Sequence, residues 1–460
     1  MSIGAFLLEV YAILYSMRVC YVSQCPCQAR SLSSVQRIAE AARRDGAGHD
    51  DVVALASGAV ADTQSRRRHL LIFGLDPKVF SLEPQDILWQ VVAWSLTQMA
   101  IGYYPSSNHQ GRDWDDPGRL QLADQPLADN GYIAVYTQTS TDWKYLIELF
   151  KLPWSWDTIE VCRLCRASRR GLLNYADTRE DAAWTETSRT DEDYMLAVGV
   201  PPGLCQTLGW TMGSIYDDLQ HDDLLGVRLA LCGAGLAMFA RACVWRPDLL
   251  NARGSWKDRL DRQLKHGYQR FLQYCRANGL EHSATEFNHL SLSLHKKTDW
   301  AVLKSKAHNC AVISQWLCHE AMLETHRGER WDVLATTLHG FAEIFRHCCL
   351  PVVRFSDAEV AAFSMARKQA MEGFHWLALD ASNVPTFLFK VTPKLHKMDH
   401  SLRRSIATRL NPGTHWAMAS EDWIGYMSHL GNSCHSRTMH QRLVQRWLVS
   451  YAEDVASEIG

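Results

Sequence analysis

The sequence predicts an α+β protein in which a mixed portion of strands and helices is interrupted by a large helical block. Runs rich in β-branched and aromatic residues are confined to the first third of the chain. From about Tyr216 onward nearly every segment carries apolar residues at helical spacing. The length of 460 residues, 47% hydrophobic and 21% charged, allows two or three domains with a sizeable core and excludes wholesale disorder.

Ile3 to Val22 is mostly apolar and could pass for a signal or anchor segment, but Glu9 and Arg18 interrupt it and no basic cluster precedes it. Ser33 to Arg44 reads as a short helix and 45–51 as a break. His69 to Leu75 has the composition of a strand bounded by basic residues and Asp76-Pro77. Glu83 to Ile101 has helical spacing, with Pro84 in a first-turn position. Residues 104–130 are loop-like, and Tyr132 to Ser140 is the best strand in the chain. Helical spacing resumes over 143–152. Residues 176–193 hold seven acids against two arginines and read as a solvated loop. The clearest later helices are expected over 223–246, 255–277, 300–326, 330–347, 357–379, 394–409, 421–432 and 437–457. These divide the chain into an N-terminal segment 1–44, a mixed portion 45–175, a mainly helical portion 176–390 and a final portion 391–460.

Lys plus Arg total 48 and Asp plus Glu 50, a formal charge of −2, which excludes a uniformly basic nucleic-acid coat protein but not a local basic groove. Fourteen scattered cysteines form no small disulfide framework and favour a reduced, intracellular setting. Apart from the N-terminal stretch, no segment approaches a membrane span, so a membrane is not an expected partner.

Four features have residue types suited to chemistry. Cys162-Arg-Leu-Cys165 has the bite for one tetrahedral metal, although two loop thiols are an equal reading. His396 and His400 are four apart on an expected helix, hence on one face. Asp142 closes the best strand, where a side chain can project into a site; it is also a good helix N-cap. Glu421 opens a late helix after an Asn411-Pro-Gly turn, where acids are ordinarily dipole partners. Basic residues cluster beside the thiols (Arg163, Arg166, Arg169, Arg170). Over 390–409, six (Lys390, Lys394, Lys397, Arg403, Arg404, Arg409) face Asp399 alone, a balance of +5.

The order of these features adds to them. An acid, a Cys pair, a long helical stretch, a His pair and a final acid resemble the DDE/D cut-and-paste DNA transposases with a Cys-x-x-Cys…His…His zinc site, which include CACTA-like and Transib-like elements. TDWKYLIELFKLP followed by CRLC looks like a multicopy transposon-derived family of dinoflagellates and other protists. Asp218-Leu-Gln-His221 with Leu225-Gly226 matches that family's Asp-x-Met-His…Leu-Gly element, with Gln220 in place of Met. Pro393-Lys-Leu-His396 and Asn411-Pro…His415-Trp416…Glu421-Asp422 match its C-terminal end. The resemblance covers roughly residues 45–435.

It implies an RNase H-like mixed sheet core interrupted by the helical insertion, and two-metal cleavage and transfer of DNA strands. Asp50, Asp142 and Glu421 would hold Mg²⁺ or Mn²⁺, hard ions that take carboxylate oxygens. Asp51 and Asp76 rival Asp50, because the Arg-Asp-Gly-Ala-Gly before it lacks the apolar strand of the family pattern. Cys162, Cys165, His396 and His400 would form a closed structural zinc site. Asp218 and His221 fit either a metal or a buried hydrogen-bonded pair. DNA is the implied partner, with Arg166, Arg169, Arg170, Lys394, Lys397, Arg403 and Arg404 as contacts, in the nucleus or cytoplasm. Such enzymes commonly work as dimers, although no dimer seam is legible. A relic without the first acid would be a catalytically inactive, zinc-stabilised DNA-binding or interaction protein.

Overall fold

Tyr132 to Thr141 (β2) is the central strand of a three-stranded mixed sheet, as its β-branched and aromatic composition requires. The computed structural model describes residues 17–23, 82–127, 132–141, 143–250, 253–383 and 387–416, with isolated helical positions at 442, 445, 446 and 449. On one side β2 pairs antiparallel with Met17–Ser23 (β1), through a register shift between Arg18 and Val19. The end of the apolar stretch that could pass for an anchor is therefore a sheet strand. On the other side β2 pairs in parallel with Ile215–Asp217 (β3), matching Thr139 to Ile215 and Thr141 to Asp217. Leu82–Ile101 (α1) packs on β2, as the strand–helix patterning implied. The expected helix over 33–44, break over 45–51, strand over 69–75 and helix over 421–432 lie outside the described residues.

Short elements link the sheet to the helical block. Pro117–Leu122 (α2), capped by Asp116, interrupts the stretch expected to be loop, and Trp143–Phe150 (α3) follows β2 directly. The acidic stretch is not a solvated loop throughout. Thr178, Ala182 and Trp184 are buried, and a capping box at Thr190 starts Asp191–Val198 (α4), which buries Tyr194. A second core gathers α1, β2, α3 and α4 around Trp89, Phe150, Tyr194 and Trp210.

Leu219–Asp222 (α5) runs through a π-helical turn at 223–227 into Arg228–Arg241 (α6). This stretch is long and apolar enough to cross a membrane, yet it forms the buried centre of the helical block. Around it stand Trp256–Asn278 (α7), Ala307–Leu323 (α8), Glu329–Cys348 (α9), Asp357–Ser382 (α10) and Pro393–Thr408 (α11). The helix expected from residue 300 begins at Ala307 instead. Ala301 and Leu303 are buried while Val302 is only half-buried, and this alternation belongs to an extended segment that donates to Leu229 O. That segment needs Gly233, where a Cβ would sit 2.5 Å from Leu303 N.

Candidate metal centre

Residues 159–169 form a hairpin closed by hydrogen bonds from Val161 N–H to Ala167 O and from Arg169 N–H to Ile159 O, with the Cys-x-x-Cys turn at its tip. The turn aims two backbone donors at sulfur. Leu164 N–H donates to Cys162 Sγ and Ala167 N–H to Cys165 Sγ, each at 3.3 Å. Such bonds favour thiolate over thiol. Helix α11 supplies the other half. Leu395, Met398 and Leu402 face the helical core, so His396 and His400 face the hairpin.

The four ligand atoms lie within 4.8 Å of one another, with Cys165 Sγ 3.3 Å from His396 Nε2 and 3.2 Å from His400 Nε2. Bond lengths near 2.0–2.3 Å in a tetrahedron require separations of about 3.3–3.8 Å, so the residues fit one ion of zinc's preferred geometry. Two thiolates and two imidazoles are the donors that select zinc over magnesium or calcium. Burial raises the Cys162 thiol, but the hydrogen bond with Cys165 and the nearby His400 and His396 outweigh it and hold it well below its ordinary range. Cys165 is pushed up by its hydrogen bond with Cys162 and by burial. An ion takes both sulfurs as thiolates, so it displaces any proton the pair holds.

Spacing did not reveal the residues that brace this site. Trp184, 1% exposed, meets His396 edge to face at 4.3 Å between centroids and His400 at 4.8 Å, and its indole N–H donates to Asp177 O. Arg189 Nε–H donates to the carbonyls of Cys162 and Cys165, and its guanidinium pairs with Glu160. Arg367 joins Asp399 at 2.7 Å and Glu180 at 2.8 Å, which ties α10, α11 and the acidic stretch together. For Trp184 the sequence offers only a high tryptophan content, 17 of 460 residues, and for Arg189 and Arg367 no signal. Among the described residues His396 Nδ1 is buried without a hydrogen-bond partner.

The other expected site residues divide. Asp50, Asp142 and Glu421 lie outside the described residues. Asp218 is buried, caps α5 through Gln220 N–H, and holds His221 Nδ1 at 2.7 Å, the geometry of a buried hydrogen-bonded pair. Lys397 is buried between Asp217 at 2.6 Å and Asp222 at 3.8 Å, with its ammonium 4.1 Å above the Trp143 ring, and has no surface to offer DNA. Lys394 donates to the carbonyls of His221 and Leu225. Gly226 makes room for it, since a Cβ there would lie 2.5 Å from Lys394 Cδ. Arg403 pairs with Asp399 and Arg404 is half-buried over Tyr216. Arg166, Arg169 and Arg170 are exposed around the hairpin.

Comparison of the chain with protein-family models, curated proteins and solved structures finds no match in any of the three.

Proposed function

We propose that the chain is a transposon-derived, DNA transposase-like protein whose structural zinc centre pins the helical block to an RNase H-like core. The observation that carries this reading is the convergence of Cys162, Cys165, His396 and His400 across 230 intervening residues. The pairing follows from the motif order that resembles DDE/D transposases, and chance histidines at helical spacing would not meet a distant Cys pair. The parallel pairing of β2 with β3 and the packing of α1 on β2 are compatible with that core. In this reading Asp50, Asp142 and Glu421 hold divalent Mg²⁺ or Mn²⁺, which supplies charge stabilisation to attacking and leaving oxygens. The test is a strand-transfer assay on the element's terminal DNA with Mg²⁺ or Mn²⁺. Activity lost in Asp142→Asn and Glu421→Gln, with the fold kept, supports the reading; activity surviving Asp142→Asn refutes the active-site assignment.

A second reading keeps the zinc and DNA binding but not cleavage. The absence of an apolar run before Asp50 favours it. DNA binding without nicking in the same assay selects this reading.

A further inference from the structure

Beside the metal centre, β3, the hairpin and α11 border a small, solvent-open cleft lined by Arg163, Tyr216, His400, Ser401, Arg404 and Ser405. Arg163 is 5% exposed. Its Nη2 donates to Ile215 O and to Asp217 Oδ2, both at 2.9 Å, while Nε and Nη1 are buried with no hydrogen-bond partner among the described residues. A guanidinium has five N–H donors, and leaving buried ones unmade is costly. Arg404 lies over the Tyr216 ring, its Cζ 3.6 Å from the centroid, and donates to the carbonyls of Gly213 and Ile215. Among the described residues it makes no ion pair. Burial, reinforced by neighbouring Arg163, lowers its pKa.

Two guanidiniums therefore meet at one carbonyl with little to neutralise them. Asp217 is shared between Arg163 and Lys397. A zinc ion with two thiolates adds no net charge. A planar carboxylate is satisfied by one guanidinium fork, whereas a tetrahedral oxyanion takes donors from several directions and carries more charge. Ser401 and Ser405, four apart on α11, add hydroxyls to the same wall.

We propose that this cleft binds a phosphate-class oxyanion, gripped by Arg163 and Arg404. The inference stands apart from the DNA reading, because a phosphodiester of DNA and free phosphate share the chemistry and either would fill the cleft.

The test is calorimetric titration of the full zinc-loaded chain with inorganic phosphate and, at matched ionic strength, acetate. Saturable phosphate binding is expected, with acetate at least tenfold weaker. Arg404→Gln should lose at least tenfold in phosphate affinity with zinc content unchanged and the chain still folded, and exposed Arg276→Gln should lose nothing. Arg163→Gln removes a buried charge and is open to misfolding, so Arg404→Lys, which keeps the charge and loses the fork, is the second variant and should fall between wild type and Arg404→Gln. Competition of phosphate with a short DNA duplex, dependent on Arg404, identifies a phosphodiester as the source. Duplex binding indifferent to phosphate identifies free phosphate. No saturable phosphate binding, equal binding of acetate, or wild-type affinity in Arg404→Gln overturns the proposal.

Discussion

Lys397 Nζ stands 2.6 Å from Asp217 Oδ1, so the residue after the metal-site His396 grips the last residue of β3. Arg163, the residue after Cys162, holds the other oxygen at 2.9 Å. Each half of the metal centre thus reaches the same buried carboxylate, and the sheet end, the hairpin and α11 are joined at one point. Lys397→Met leaves Asp217 with one cation and takes the remaining partner from Asp222. Breaking a buried pair from one side costs about 3–5 kcal/mol. Urea unfolding should show a loss of that order, with weakened zinc retention.

Trp184 contacts both imidazoles, and its truncation opens a cavity against the metal site. Trp184→Ala is expected to cost about 3–5 kcal/mol in stability and roughly 10–100-fold in zinc affinity through loss of ligand orientation. Competition with a chromophoric chelator measures the second effect. Unchanged affinity would reduce Trp184 to core packing.

Asp222 titrates where it affects stability. Burial, with Asp217 and Asp218 beside it, pushes its carboxyl up to about 7, although Lys397 opposes the shift. In the unfolded chain the value is near ~3.9. Between the two, the folded chain keeps a proton that the unfolded chain has released. The contribution of this group is therefore full below the unfolded value and is lost as pH rises through about 7. Asp222→Asn should melt closest to wild type at or below pH ~4 and progressively higher than it as pH rises to ~7–8, by a few kcal/mol at most at about 1.4 kcal/mol per pKa unit. Parallel melting curves at both pH values would contradict this.

The pairs Cys162/Cys165 and His396/His400 were legible because spacing alone puts each pair on one turn or one helix face. Their joining was not a local property and came only from motif order. The helices of the block were legible within a few residues where a helical stripe ran long. The sequence hid β3, since three residues carry no periodicity, and also hid the extended segment before α8, whose apolar residues alternate beside Gly233. Lys397 reads as a surface cation by type. Only the fold shows two aspartates and Trp143 closing over it.

Protons and zinc compete for the same four atoms. Acidification should release zinc as the thiolates and imidazoles protonate, and binding at neutral pH should release protons. Zinc uptake measured in two buffers of different ionisation enthalpy counts them. Uptake with no proton release would contradict a site whose Cys165 thiol is held above its ordinary range.

X-ray absorption at the zinc edge, with metal analysis of the purified chain, tests the closed Cys₂His₂ centre most directly. The account predicts one zinc per chain, two sulfur ligands near ~2.3 Å and two nitrogen ligands near ~2.0–2.1 Å, with the sulfur shell reduced in Cys162→Ser and the nitrogen shell in His396→Ala. A zinc-free chain, or a metal whose ligand shell does not change in either variant, would contradict it.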